Sequence, residues 1–105
     1  MSANDDSLVI ETAPETGVLR LTGGIYDQQD LEKLDLELTS ASAGFTAPVT
    51  VDLGALEFLP SLAVGTLVAL DRRAREGGGS LTLVAENGSL AHRILTVVGV
   101  PVTTP

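Results

Sequence analysis

The chain has 105 residues, enough for one compact domain and too few for two. Hydrophobic residues make up 44%, mostly Leu, Val, Ala and Ile; Tyr26, Phe45 and Phe58 are the only aromatics, too few for a surface that stacks nucleic-acid bases. Fourteen acidic against six basic residues give a net charge of -8, which repels phosphate backbones and anionic lipid headgroups, so no nucleic-acid partner is expected and a protein partner is compatible.

Residues 1–7, MSANDDS, are polar and expected to be disordered, with one domain over residues 8–105. The start has neither a basic n-region nor a long apolar stretch, so it does not read as a secretory signal. With no cysteine there is no disulfide and no thiolate chemistry. No run approaches the ~20 apolar residues of a membrane span, so no membrane insertion is expected. Together these features read as a cytoplasmic domain.

LVIET (residues 8–12) and VLRLT (residues 18–22) are strand-like and flank APETG, whose Pro14 and Gly17 are turn residues. An antiparallel hairpin is expected. In DQQDLEKLDLELTSASAG, Leu31, Leu34, Leu38 and Ala41 share one helical stripe. Asp27 or Asp30 can cap its start, Gly44 can end it, and Leu36 falls off the stripe. PVTVDLGAL (residues 48–56) has the apolar density of a buried central strand.

FLPSLAVGTLVAL then passes Pro60 and Ser61 into a helix expected from about Leu62 to Glu76. At ~100° per residue, Ala63, Leu67, Leu70 and Ala74 form its core face. Val64 and Val68 form a separate apolar pair, continued by Asp71 and Arg75. That pair either packs under a neighbouring element or adds a contact patch for a protein partner beside Ser61. Ser61 reads as the helix N-cap, and a helix mouth also tolerates a phosphate. Gly77 to Gly79 close the helix. SLTLVA (residues 80–85) reads as a strand. NGSLAHRILTVVGV reads as a last helix capped by Asn87 or Ser89, with Leu90, Ile94, Val97 and Val98 inward and His92 outward.

The sum is an α/β fold in the order β-β-α-β-α-β-α, a mixed, mostly parallel sheet with helices packed on it and right-handed crossovers. No catalytic machinery is legible. A nucleophile elbow reads G-x-S-x-G, whereas Ser61 stands in Leu59-Pro60-Ser61-Leu62-Ala63. One histidine and scattered carboxylates supply no metal cluster, and GGGS at residues 77–80 has no following G-K-[ST] and precedes a strand. Arg72, Arg73 and Arg75 sit where cations offset a helix C-terminus. These features favour a binding module that is not an enzyme and needs no cofactor.

From VTVDLGALEFLPSLAVGTLVALDRRAREGGGSLTLVAENGSLAHRILTVVGV the chain resembles the STAS domain of bacterial anti-sigma factor antagonists. Val51-Asp52-Leu53, Phe58, Ser61, Gly78-Gly79, Leu81 to Val84 and Gly99-Val100 take the places of the family pattern, and LTGGIYDQQDLEKL, with Gly24, Tyr26 and Asp27, is similar to its earlier stretch. The resemblance spans roughly residues 8–102. It implies binding to an anti-sigma factor, usually a serine kinase of the histidine-kinase-like ATPase fold. That kinase would phosphorylate the motif serine, matched by Ser61, and thereby end the complex. The implied partner surface is Tyr26, Asp27, Pro60, Ser61 and Leu62, extended by Val64 and Val68. The sequence departs from the family motif Asp-Ser-[Ser/Thr/Ala]-Gly, with Pro60, Leu62 and Ala63 at its first, third and fourth positions. A phosphorylation-independent scaffold or accessory subunit of a transporter or stress complex is the alternative. A nucleotide-binding role follows only from family analogy.

Overall fold

The computed structural model describes residues 7–13 and 15–105. Residues 1–6 of the expected disordered start, and Pro14 of the expected turn, lie outside the described residues. β1 (Val9–Ala13) and β2 (Val18–Gly24) form the expected antiparallel hairpin. Its turn closes where the N–H groups of Thr16 and Gly17 both donate to the Ala13 carbonyl, at 3.1 and 3.0 Å. α1 (Gln28–Ala41), β3 (Pro48–Phe58), α2 (Ser61–Glu76), β4 (Ser80–Val84) and α3 (Leu90–Val98) follow in the expected order. The sheet runs β1-β2-β3-β4, with β2, β3 and β4 mutually parallel. After α3 the chain returns to the β4 edge, where Thr103 pairs with Val84 in parallel.

Strand alternation divides the sheet into two faces. Leu19, Val51 and Leu83 stand side by side in register, with Leu21, Val49 and Leu53 in the neighbouring rows, and all six are buried. The opposite face carries Arg20 beside Asp52, an ion pair at 3.4 Å, and Thr50 beside Thr82. α1 packs against β1 and β2, α2 packs against β4, and the two helices touch each other. Their buried stripes are Leu31, Leu34 and Leu38 on α1, and Ala63, Leu67, Leu70 and Ala74 on α2. Each leucine so buried contributes about 1.5–3 kcal/mol. Ala41 is partly buried against the same core, and Leu36 is 72% exposed, as its place off the stripe requires.

The amino-terminal end of β3 is locked by loop-to-loop contacts. α1 ends at Ser42, two residues before Gly44. The buried Ser42 hydroxyl donates to the Leu38 carbonyl at 2.7 Å and accepts the Phe45 N–H at 2.9 Å. Phe45 has a φ of 68°, uncommon for a side chain of its size, and its ring is buried under the Arg73 guanidinium at 4.5 Å. Arg73 also pairs with Asp35 of α1 at 3.1 Å. The glycines after α2 therefore do more than stop a helix. A Cβ on Gly77 would collide with the Phe45 carbonyl oxygen, and one on Gly79 would lie 2.6 Å from the Ala47 carbonyl oxygen.

α3 corrects the sequence reading. Ser89 is its cap, accepting the His92 N–H at 3.3 Å, and Gly99 closes it in the left-handed region. Its buried residues are Ala91 and Leu95, while Val97 and Val98 are exposed and Leu90 and Ile94 only half-buried. The helix is turned by roughly a right angle from the expected orientation. It packs against β3 with Ala91 and Leu95 fully buried, and His92 is half-buried on the flank.

Gly77→Ala is expected to lower unfolding free energy by about 1–3 kcal/mol, because backbone must shift. Gly65→Ala, in the interior of α2 with open space around its would-be Cβ, is expected to raise it by about 0.5–1 kcal/mol. Urea unfolding of the two variants beside the parent checks the pair.

Candidate partner-binding site

The carboxyl ends of β2 and β3 lie side by side, and the sequence-derived site residues gather there. Gly24 pairs with Phe58, and the Ile25 N–H donates to the Phe58 carbonyl at 3.1 Å. This last rung brings the loop before α1, with Tyr26 and Asp27, close to Pro60 and the first turn of α2, with Ser61 and Leu62. In parallel sheets such crevices beyond the strand ends are where ligands dock.

Two irregularities in β3 prepare this end. The register with β2 shifts between Arg20 and Thr22 and again between Gly23 and Gly24, each time fitting an extra residue into β3. The buried series therefore passes from Leu53 to Leu56 and then to Leu59, and Phe58 turns outward. The Asp52 carboxylate accepts the Gly54 N–H at 3.0 Å beside the first shift.

Phe58 is the functional candidate that the sequence reading missed. Its ring stacks on Tyr26, with centroids 5.0 Å apart and planes inclined by 14°. Both rings are nearly half exposed. Two of the three aromatics in the chain thus form one surface feature. Gly24 makes room for it, since a Cβ there would lie 2.7 Å from the Tyr26 ring. The available signal was that Phe58 closes a strand and Tyr26 follows one, each just before a helical crossover; their stacking depends on pairing across more than thirty residues.

Asp27, one of the expected partner-surface residues, is exposed and also holds the start of α1 together with Asp30. Asp27 caps α1 by accepting the Asp30 N–H at 3.0 Å, and Asp30 reaches back to accept the Tyr26 N–H at 2.8 Å. Together they form a variant of the capping box and fix the backbone that carries the Tyr26 ring.

Ser61 is not the N-cap of α2. Pro60 holds that position in an extended conformation, with φ -77° and ψ 165°. Its carbonyl accepts the N–H groups of Ala63 and Val64 at 2.9 and 3.1 Å. Ser61 is already helical, is exposed, and among the described residues no hydrogen bond engages its hydroxyl. Pro60 suits the cap position because its extended ψ leads into a helix and its missing N–H costs no helical bond. The first turn of α2 carries no acidic residue. Leu62, beside Ser61, is 62% exposed.

Val64 and Val68 separate from this cluster. Val64 packs partly against the core, so the burial reading fits it. Val68, two turns down α2, lines a groove of about 470 Å³ with Leu81 and Leu83 of β4 and with Val100 and Pro101. Asp71 and Arg75, ion-paired to each other, edge the same groove. Among the described residues no helix is long and apolar enough to cross a membrane, and no group of three or more His, Cys, Asp or Glu side chains gathers to hold a metal.

Asp27→Ala should lower stability by about 1 kcal/mol through loss of the cap, measurable by chemical unfolding. Gly24→Ala should displace the Tyr26 ring, seen as loss of the Tyr26–Phe58 ring-current shifts in the proton spectrum while the methyl signals of the Leu19–Val51–Leu83 core stay put.

A family model described as "Mlab, STAS domain" matches residues 8–101. Among solved structures, the chain is similar to an anti-sigma factor antagonist from Mycobacterium paratuberculosis. The TM-score is 0.69 at 23% identity, over 97% of this chain and 90% of that one.

Proposed function

The chain belongs to the STAS domain family, and from that premise we propose that it is a regulatory binding module that docks an anti-sigma factor of the serine-kinase type in the cytoplasm. The docking surface is the end of the sheet where the Tyr26–Phe58 stack, Leu62 and the first turn of α2 stand together. The observation that carries this reading is the exposed aromatic and aliphatic group around Ser61 on an otherwise acidic chain. Stacked aromatics and an exposed leucine at a strand-end crevice are the anchors that protein interfaces favour.

Phosphorylation of Ser61 is the switch in this reading. The hydroxyl is exposed and uncommitted, in the first turn of a helix. A phosphate there meets spare backbone N–H groups and the positive end of the helix dipole, so the fold tolerates it. The same phosphate adds nearly two negative charges to an apolar contact surface, which a partner must then desolvate. Tolerance by the fold and disruption of the complex thus follow from one location.

Pro60 favours a second reading. It occupies the place of the family motif's aspartate, so a kinase that uses that carboxylate finds none here. A member that holds its partner constitutively, as an accessory subunit of a transporter or stress complex, would use the same surface without the switch. The two readings part at Ser61.

With the kinase-type anti-sigma factor as partner, Ser61→Asp is expected to weaken binding at least about tenfold, or about 1.4 kcal/mol. Ser61→Ala should stay within about twofold, and Leu62→Asp should weaken binding like Ser61→Asp. Titration calorimetry reads all three. Incubation with the partner and Mg-ATP should add one phosphate at Ser61 by peptide mass spectrometry. Binding lost in Leu62→Asp but unchanged in Ser61→Asp, with Ser61 unmodified, establishes the constitutive reading instead.

A further inference from the structure

At the amino-terminal end of β3 the chain combines a ring, a guanidinium and a carboxylate. Arg73 lies 4.5 Å from the Phe45 ring centroid and 3.1 Å from the Asp35 carboxylate. A flat cation gains there from the ring face and from the carboxylate together. The carboxyl end of the sheet brings the same rings and carboxylates together at the surface. Tyr26 and Phe58 are stacked and nearly half exposed. Asp27 follows Tyr26 in the chain, Glu57 precedes Phe58, and both acids are exposed.

Charge at this end has one sign. Residues 21–32 and 53–71 include acidic side chains but no lysine or arginine. Of the six basic residues, Arg20, Arg73 and Arg75 are ion-paired with Asp52, Asp35 and Asp71, and Lys33 donates to the Leu8 carbonyl at 2.9 Å. Arg72 lies about three helical turns along α2 from Ser61, and Arg93 edges the outer face of α3. Among the described residues no ion pair engages Asp27 or Glu57.

We propose that this surface receives an arginine of the bound protein, its guanidinium laid on the Tyr26–Phe58 pair with Asp27 and Glu57 as counter-charges. The inference rests on the docking surface proposed above and names the group that the surface selects. A wholly apolar occupant would desolvate the two carboxylates without compensating them. A lysine would supply charge, but its ammonium is compact and strongly hydrated. A guanidinium is flat and weakly hydrated, so it can stack on a ring while its N–H groups reach a carboxylate. The acidic chain also steers a basic segment towards itself, so association is expected to slow as salt is added.

Proton spectra recorded during titration with an oligoarginine peptide, and separately with an oligolysine of equal length, test the inference without the anti-sigma factor. The Tyr26 and Phe58 ring signals should shift with oligoarginine, at an affinity about two- to fivefold above that for oligolysine. The double variant Tyr26→Leu/Phe58→Leu should bind both peptides alike by calorimetry, and Glu57→Gln should weaken both. With the kinase-type anti-sigma factor, Glu57→Arg should weaken binding at least about tenfold. Ring signals that stay still, or a parent that binds both peptides equally, overturn the inference. So does anti-sigma binding that Leu62→Asp abolishes but Glu57→Arg and the double variant leave intact, a result that keeps the docking surface. An anti-sigma factor that fails to bind the parent, with the arginine preference present, overturns the docking reading and leaves the arginine site standing.

Discussion

The last rung between β2 and β3 is the contact on which the candidate site depends. Where Gly24 meets Phe58 and Ile25 donates to the Phe58 carbonyl, two loops distant in sequence become one surface. Parallel pairing makes this possible, because adjacent parallel strands deliver both of their exits to the same edge of the sheet. The two extra residues in β3 then set what that edge displays. They keep Leu56 and Leu59 in the core and turn Phe58 out to meet Tyr26. The pair of acids at the start of α1 completes the arrangement, since Asp30 holds the Tyr26 backbone while Asp27 caps the helix.

The two ends of the sheet are built differently. At the amino-terminal end of β3, Ser42, Phe45, Arg73 and the close-packed glycines Gly77 and Gly79 tie the loop after α1 to the loop after α2. Little apolar side chain is left in solvent there. At the carboxyl end the loops are short and capped, yet Tyr26, Phe58 and Leu62 stay exposed. A rigid base with an apolar, partly aromatic rim fits the proposed contact with another protein, since preorganised anchors lose little entropy on binding.

Much of this was legible in the sequence, for physical reasons that also explain the exceptions. The stripes of α1 and α2 were readable because both helices are long enough for one continuous apolar arc to outweigh the isolated apolar side chains off it, Leu36 on α1 and Leu62 and Val68 on α2. α3 is short and apolar over more than half its circumference. Periodicity there cannot choose between Leu90–Ile94–Val98 and Ala91–Leu95, and close packing on β3 selected the arc with the alanine. The reading of Ser61 as a cap failed by one residue. An extended proline can hold the cap position through its backbone alone, and no side-chain signal marks that. The Tyr26–Phe58 stack was illegible because it depends on the register of a parallel pair, which local pattern does not encode.

The central claim is that the carboxyl ends of β2 and β3, with the first turn of α2, form the contact surface for an anti-sigma factor. Amide hydrogen exchange of the chain, free and in the presence of the kinase-type anti-sigma factor, tests it most directly. The account predicts added protection at residues 24–28 and 58–64, with the loop at residues 42–47 and the Gly77 to Gly79 turn unchanged. Protection confined to the amino-terminal loops, or to the groove between Val68 and Leu81, would contradict it.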